Sequence, residues 1–231
     1  MWQGKMKALT FSYDDGVTQD RRLIAILNRY GLRATFNINS GLFGVAHAFY
    51  DEEKDVTFPH VTLRASEIPR VYAGHEVAAH TRTHPALCKL DDESVRAEIV
   101  DDCKALSEIV GYEIRGMAYP GGSEYVDARS VEIARRCGVG YARNTTSSHT
   151  FDLPKDPLWL CPTVRHGEWD VMTELAERFL AMKPETPQLF YIWGHAYEFD
   201  RDDEWEKFEA FCAHISGRDD IFYGTNAQVL L

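Results

Sequence analysis

The sequence predicts a single α/β domain built on a parallel β-sheet with helices on its outer side. Short apolar runs alternate with amphipathic segments in roughly seven strand-then-helix steps, the pattern of parallel strands joined by helices. A glycine follows each of four amphipathic segments as a stop signal, at Gly31, Gly74, Gly111 and Gly138. No linker, repeat or low-complexity run divides residues 1–231, so we expect one domain. The number of steps favours a closed or nearly closed barrel over an open sheet.

The first half of the chain contains three predicted strands and three predicted helices. The strands are short apolar or β-branched runs, and the helices repeat apolar residues at three- and four-residue spacing. The predicted strands are Ala8–Tyr13, Arg33–Asn39 and His75–His80. The predicted helices are Gln19–Tyr30, Arg64–Ala73 and Asp91–Val110. Periodicity fails over Ser40–Leu63, and we expect this long segment to be a functional excursion or to hold a small hairpin.

The second half continues the alternation around one irregular stretch. Asn144–Glu168 is polar, contains three prolines and has no clear period. The predicted strands are Arg115–Tyr119, Val139–Arg143, Gln188–Trp193 and Ile221–Tyr223. The predicted helices are Asp127–Cys137, Asp170–Met182 and Asp202–Ile215.

Composition and charge narrow the classes of function. The chain has 45% hydrophobic and 26% charged residues, which is ordinary for a globular protein. Its formal net charge of −11 argues against binding nucleic acid or an anionic membrane, because both need clustered Lys and Arg. The five cysteines are scattered without a CxxC pair, and the N-terminus lacks the apolar core of a signal peptide. We therefore expect free thiols and a cytoplasmic location.

Residues with useful chemistry follow several of the predicted strands. Asp14 and Asp15 end the first strand, His80 ends the third, and Pro120-Gly121 and His195 follow later strands. In parallel barrels the active site lies at the carboxyl ends of the strands, so these residues are expected to meet. Two adjacent carboxylates are unfavourable unless a cation or a proton separates them. This end of the barrel is therefore predicted to bind a metal ion.

A histidine pair supplies further candidate ligands. His80 and His84 are four residues apart, so both imidazoles can lie on one side of a helical turn and chelate one ion. One carboxylate from Asp14-Asp15 completes a two-histidine, one-carboxylate set that leaves positions open for water and substrate. The second carboxylate is then free to act as a base. An HxxxH pair alone is weak evidence, and the acidic pair at another strand end strengthens it.

These motifs resemble those of the NodB-homology polysaccharide deacetylases, carbohydrate esterase family four. The resemblance extends from about Ala8 to His195, which is most of the chain. The matching phrases are Thr10–Gly16 (TFSYDDG), His80–Pro85 (HTRTHP), Gly31–Phe36 and Gly74–His80. The resemblance implies a distorted (β/α)7 barrel forming a single catalytic domain, residues 1–231. It also implies metal-dependent removal of an acetyl or other small acyl group from an N- or O-acetylated sugar.

The resemblance also assigns roles to individual residues. It implies that Asp14 is the catalytic base and that Asp15, His80 and His84 hold the ion. The ion would be Zn²⁺ above all, with Co²⁺, Ni²⁺ or another divalent cation as alternatives. Zinc would lower the pKa of its water and polarise the acyl carbonyl, and Asp14 would accept the proton of that water.

The last family motif, Leu-x-His, corresponds here to Trp193-Gly194-His195. By this resemblance His195 would be the general acid that protonates the leaving amine or alkoxide, and Trp193 would wall the acetyl pocket. The acid that orients His195 is not defined by the sequence. Three carboxylates are candidates: Asp152, Glu198 and Asp200.

The third family motif, usually Arg-Pro-Pro-Tyr-Gly, is altered in this chain. The corresponding phrase is Ala118-Tyr119-Pro120-Gly121-Gly122, with alanine in place of the arginine that would pair with the base. Gly121 replaces the family tyrosine but can still supply a backbone N–H as oxyanion donor. Tyr119 and Pro120 are expected to line the substrate pocket. Arg143 and Arg165 are possible replacements for the missing arginine, although either could instead form a surface ion pair.

Several aromatic and histidine residues carry no specific signal. Trp169 and Tyr197 have the best claim among the aromatic residues to stack on a sugar ring, although aromatic residues are more often core. The remaining histidines are expected to be structural or at the surface: His47, His60, His75, His149, His166 and His214.

The expected partner is an acetylated saccharide or a small acylated metabolite, with no nucleic acid or membrane. Two other functions remain open: hydrolysis of another C–N bond in a cyclic amide or ureide, and a non-catalytic carbohydrate-binding barrel. The sequence defines neither the substrate nor the oligomeric state.

Overall fold

The strand Lys7–Asp14 (β1) is the centre of the fold because parallel strands pair with both of its edges. The structure, a computed structural model, describes residues 2–231. The other strands in this range are β2 (Ala34–Ile38), β3 (Ala46–Asp51), β4 (Val56–Val61), β5 (Glu76–Ala79), β6 (Gly116–Ala118), β7 (Tyr141–Arg143), β8 (Val164–Arg165), β9 (Gln188–Gly194) and β10 (Ile221–Tyr223). The α-helices are α1 (Asp20–Arg29), α2 (Ile68–Val71), α3 (Asp92–Val110), α4 (Ala128–Arg136), α5 (Trp169–Ala181), α6 (Tyr197–Asp202), α7 (Trp205–Ile215) and α8 (Asn226–Leu230).

The main sheet is parallel and runs in the order β7-β6-β5-β2-β1-β9-β8. β10 pairs with the first part of β1 at Lys7–Leu9, and β2 pairs with its last part at Phe11–Asp14. β9 follows the opposite edge of β1 from Lys7 to Tyr13. The sheet curls into a half-barrel, and within residues 2–231 its outer strands β7 and β8 do not pair with each other. The predicted distorted barrel of seven strands in a single domain is confirmed.

The buried residues follow from the sequence pattern of strands and helices. Every residue of β1 is buried, as expected for a central parallel strand covered on both faces. In α1, Leu23, Ile26 and Leu27 recur at helical spacing, and all three are buried in the core. Asp91 precedes α3 as its N-cap, and its side chain accepts a hydrogen bond from the Ser94 N–H at 2.8 Å. These elements form the rigid frame that carries the strand ends.

The segment that lacked periodicity contains an antiparallel hairpin, β3–β4, in which His47 and His60 are register partners. The hairpin packs on α6, where the Phe58 and Tyr197 rings stack with centroids 5.6 Å apart. Lys54 forms an ion pair with Asp202 of the same helix. The hairpin, which follows β2 in the chain, therefore packs against α6, the helix that follows β9.

Some predicted boundaries were wrong. The expected helix Arg64–Ala73 is a short 3₁₀ turn followed by the four-residue α2. The expected helix Asp202–Ile215 is preceded by α6, and the two helices are separated at Asp203, which has a left-handed φ of 51°. No helix within residues 2–231 has the length and apolarity needed to cross a bilayer.

Candidate active site

A cavity of about 640 Å³ opens at the carboxyl ends of β1, β5 and β9. The side chains and backbone around it come from these strand ends, from β8, from the loops after β2, β5, β6 and β7, from the β3–β4 hairpin and from α6. They are Asp14, Asp15, Asn39, Leu42, His47, Phe49, His60, Thr62, His80, Thr83, His84, Gly121, Gly122, Thr145, Arg165, Trp193, His195 and Tyr197. The structure thus brings together most of the residues selected from the sequence, although they span some 180 positions.

Asp15, His80 and His84 form a set of candidate metal ligands. One ligand atom from each of them lies within 4.8 Å of the others. His80 Nδ1 lies 2.9 Å from the Ala118 carbonyl, an acceptor, so the ring carries its proton on Nδ1 and presents the lone pair of Nε2. Nitrogen and carboxylate donors suit Zn²⁺ and similar divalent ions. The residues present therefore fit the metal that the sequence predicts.

The histidine pair is not presented by a helical turn. Residues 80–84 are irregular, and Thr81 and His84 have left-handed φ angles of 62° and 59°. Asp15 also has a positive φ, 76°. Such conformations are unfavourable for residues other than glycine, so tertiary contacts must impose them. The His80 and His84 rings lie close together, as their four-residue spacing predicted. The backbone that brings them together is a bent loop and not a helical turn.

Asp14 lies beside this set and is bound by an arginine. Nη2 of Arg143 contacts the two carboxylate oxygens of Asp14 at 2.6 and 2.5 Å, and both side chains are almost fully buried. The guanidinium also lies over the Trp193 ring, 4.5 Å from its centroid. Asn37 donates a further hydrogen bond to Asp14 at 2.8 Å. Of the two arginines considered for the role missing at Ala118, Arg143 is the one that reaches Asp14.

The charges around Asp14 determine its protonation. Burial by itself would raise the pKa of this carboxyl, but Arg143, followed by His80 and His195, holds the pKa below its usual value. Asp14 is therefore ionised at neutral pH. His195 Nε2 lies 4.0 Å from Asp14 Oδ2, so an anionic acceptor and an imidazole face each other across the cavity.

Glu198 is the carboxylate that pairs with His195. Its Oε1 lies 3.4 Å from His195 Nδ1, and its Oε2 lies 2.8 Å from His166 Nε2. Burial opposes protonation of His195, but the negative charges of Glu198, Asp15 and Asp14 outweigh it and raise the pKa to about 9. The ring is therefore protonated at neutral pH.

The other two candidate acids lie outside the cavity. Asp200 accepts a hydrogen bond from Trp205 Nε1 at 2.7 Å, and Asp152 is exposed, with its backbone bridged to Gln188 at the start of β9. Arg165 also contacts Glu198, so this second arginine lies on the His195 side of the cavity.

The loop after β6 presents backbone to the cavity. Gly121 has a φ of 66°, and a Cβ there would meet Tyr125 Cδ2 at 2.1 Å, so only glycine fits. Within residues 2–231 its N–H has no hydrogen-bond acceptor, which leaves it available to a ligand. Tyr119 and Pro120 are not among the lining residues, and the Tyr119 hydroxyl donates to the Leu158 carbonyl at 2.9 Å. In this motif the backbone of Gly121 and Gly122 lines the cavity in their place.

The β3–β4 hairpin contributes three lining residues, His47, Phe49 and His60, that had no functional assignment from the sequence or were expected to be merely structural. They group with Tyr197, which was considered for stacking on a sugar. Phe49 and His60 of the hairpin pack edge-on with ring centroids 5.0 Å apart, and Tyr197 packs on His60 at 5.1 Å. His47 completes the group. The only sequence signal was the failure of periodicity over Ser40–Leu63, which indicated a functional excursion without identifying its residues. Trp169, the other aromatic residue considered for sugar stacking, is buried outside the cavity.

Comparison with known proteins identifies the family. The family model for polysaccharide deacetylase matches residues 3–142, more than half of the chain. This protein therefore belongs to the polysaccharide deacetylase family. No curated protein matches it.

Three solved structures illustrate the shared fold. One is a family 4 carbohydrate esterase from Streptomyces lividans in complex with acetate, 17% identical, with 96% of this chain and 92% of that chain covered and a TM-score of 0.55. Another is the Bc1960 peptidoglycan N-acetylglucosamine deacetylase, 13% identical, with 98% and 89% covered and a TM-score of 0.58. The third is a family 4 pseudoenzyme from Bacillus anthracis, 16% identical, with 100% and 67% covered and a TM-score of 0.54.

Proposed function

We propose that this protein hydrolyses an acetyl or similar small acyl group from an N- or O-acetylated sugar. The observation that carries the proposal is the pairing of an ionised Asp14 with a protonated His195 at 4.0 Å, directly beside the Asp15, His80 and His84 set. A buried base and a half-buried acid facing one cavity are the groups that acyl transfer to water requires. Membership of the polysaccharide deacetylase family supports the same reaction class.

The metal site would be formed by Asp15, His80 and His84. A divalent cation, Zn²⁺ above all, would supply charge stabilisation at the acyl carbonyl oxygen and make a water molecule more acidic. Asp14 is not needed as a ligand, because Arg143 and Asn37 already bind its oxygens.

The chain's own groups account for the proton transfers. Asp14 accepts a proton from the water that attacks the acyl carbon. The Gly121 N–H donates a hydrogen bond to the oxyanion that develops on the former carbonyl oxygen. His195 gives its proton to the sugar nitrogen or oxygen as the C–N or C–O bond breaks, which releases acetate and the free amine or hydroxyl. Glu198 stabilises the protonated imidazole before this transfer.

The substrate proposed is an acetylated saccharide or a small acylated metabolite. The cavity volume of about 640 Å³ lies within the range of small-molecule sites. A cytoplasmic location stays a prediction from the sequence, and it would favour a soluble saccharide over a wall polymer.

The decisive experiment measures acetate release from acetylated amino sugars, xylan fragments and O-acetyl sugars with Zn²⁺, Co²⁺ or Ni²⁺ added. Ureides and cyclic amides are included, with ring opening followed directly. Acetate release that disappears in Asp14→Asn supports the proposal. Ring opening without acetate release would indicate hydrolysis of another C–N bond. Saturable sugar binding without turnover would identify a non-catalytic barrel.

A further inference from the structure

The two oxygens of Asp15 have different surroundings. Oδ1 faces the candidate ligands, 3.7 Å from His80 Nε2 and 4.0 Å from His84 Nε2. Oδ2 lies 3.1 Å from Nε2 of His60, a hydrogen-bond distance. The Asp15 carboxylate therefore contacts both the other candidate metal ligands and the β3–β4 hairpin.

The environment of His60 defines which of its nitrogens donates. Its Nδ1 is buried without a hydrogen-bond partner among residues 2–231, so a proton there would be left unsatisfied. A proton on Nε2 instead meets the Asp15 carboxylate and forms a charge-assisted hydrogen bond. His60 thus fits the role of a donor to Asp15, with its other nitrogen as an unused acceptor.

The ring of His60 is fixed in place by its neighbours. Phe49 and Tyr197 pack edge-on against it, and only 13% of its side chain is exposed. Tyr197 belongs to α6, on which the hairpin is anchored by the Phe58 stack and the Lys54–Asp202 ion pair. The donor is therefore held by packed rings on both sides.

We propose that His60 is a positioning residue for the metal site: it occupies Oδ2 of Asp15 and leaves Oδ1 as the oxygen directed at His80 and His84. Partners that bind the outer atoms of a metal ligand fix its orientation, and their removal lowers metal affinity. Without His60, the Asp15 carboxylate could rotate away from His80 and His84. The inference rests on the metal site of the proposed function and is independent of the substrate.

The test compares three variants of the full chain for Zn²⁺ affinity, measured by competition with a chromophoric chelator. His60→Leu removes the donor and is expected to weaken affinity by about 10-fold to 100-fold. His60→Gln keeps an amide N–H near the Nε2 position and is expected to recover much of that loss. His47→Gln is the matched control, because His47 is the register partner of His60 and lines the same cavity. It is expected to bind Zn²⁺ as the wild type does.

Thermal unfolding of the metal-free variants separates positioning from folding. If His60→Leu and His60→Gln unfold at the same temperature but differ in affinity, the donor itself is responsible. Wild-type affinity in His60→Leu would overturn the inference while leaving the metal site intact. X-ray absorption that shows one imidazole fewer around the ion in His60→Leu would overturn it too, because His60 would then be a ligand. A wild type that binds no divalent ion would overturn the metal site itself.

Discussion

Arg143 lies opposite Ala118 in the parallel register of β6 and β7, and its guanidinium contacts both carboxylate oxygens of Asp14. Register partners on adjacent parallel strands project their side chains to the same face of the sheet. An arginine on the end of β7 can therefore reach the point that an arginine at position 118 would reach from β6. The small side chain of Ala118 is compatible with the longer path that the Arg143 side chain takes from β7 to Asp14. In this chain the arginine contact to Asp14 thus comes from β7, one strand away from position 118.

Replacing Arg143 should lower the stability of the protein and raise the pKa of Asp14, the proposed base. Arg143→Ala leaves the buried Asp14 charge without its main partner, and we expect a loss of about 3–5 kcal/mol in the free energy of unfolding. Since Arg143 lowers the pKa of Asp14, its removal should move the acidic limb of kcat/KM to higher pH. Denaturant unfolding and a pH–rate profile measure the two effects. Adding Ala118→Arg to Arg143→Ala should restore part of the activity, and an unchanged pH profile in Arg143→Ala would contradict the assignment.

Substitutions of the two adjacent aspartates should have different effects on turnover and on metal content. Asp14→Asn removes the proton acceptor, so we expect turnover to fall by about 10²-fold to 10⁴-fold with metal content unchanged. Asp15→Asn removes a charged ligand and should deplete the metal. Elemental analysis after dialysis, together with kcat, distinguishes them. The reverse outcome would mean that the roles of the two residues are exchanged.

Glu198 should set the alkaline limit of activity. Its negative charge is the main influence that raises the pKa of His195 to about 9 against the opposing effect of burial. In Glu198→Gln that pKa should fall, so His195 loses its proton at lower pH and the alkaline limb of kcat/KM moves down. Asp200→Asn is the control, because the Asp200 carboxylate contacts Trp205 instead. Equal shifts in the two variants would argue against a specific role for Glu198.

His75 predicts a pH dependence of stability that is separate from the active site. Burial, together with Arg33, lowers its pKa from 6.5 to about 4, and its Nδ1 accepts a hydrogen bond from the Ala34 N–H at 3.2 Å. Between these values the unfolded chain binds a proton that the folded protein does not, so stability should decrease as pH falls from about 6.5 to 4. The full contribution is about 3 kcal/mol. Urea unfolding of His75→Asn, which keeps an acceptor near Nδ1, should show a flatter pH profile than the wild type.

Local sequence patterns predicted seven of the ten strands found within residues 2–231, most helices and the residues at the strand ends, but missed β8 and left the β3–β4 hairpin as one of two alternatives. Asp14, Asp15, His80 and His195 each follow a short apolar run, and the parallel topology brings such positions together. Those residues could be found because strand and helix periodicity fixes where each strand stops.

The partners of these residues were not predictable in the same way. Arg143 reaches Asp14 from a strand at the far edge of the sheet, and this pairing depends on strand order and side-chain length. His60 depends on the docking of a hairpin whose strands have exposed, weakly periodic residues. Glu198 was one of three nearby carboxylates until the start of α6 fixed its direction. Long-range contacts decide such pairings, and a single sequence carries little record of them.

The left-handed backbone at Asp15, Thr81 and His84 bears on the order of folding and metal binding. Each such conformation costs of order 1–3 kcal/mol and persists only when the surrounding structure imposes it. The barrel core would therefore preorganise Asp15, His80 and His84 before the proposed ion binds, unlike zinc fingers, which fold only with their metal. Chelation should abolish metal-dependent activity while leaving the far-ultraviolet circular dichroism unchanged. Readdition of the ion should then restore activity without a refolding phase, since the three ligands already have their final geometry in the metal-free protein.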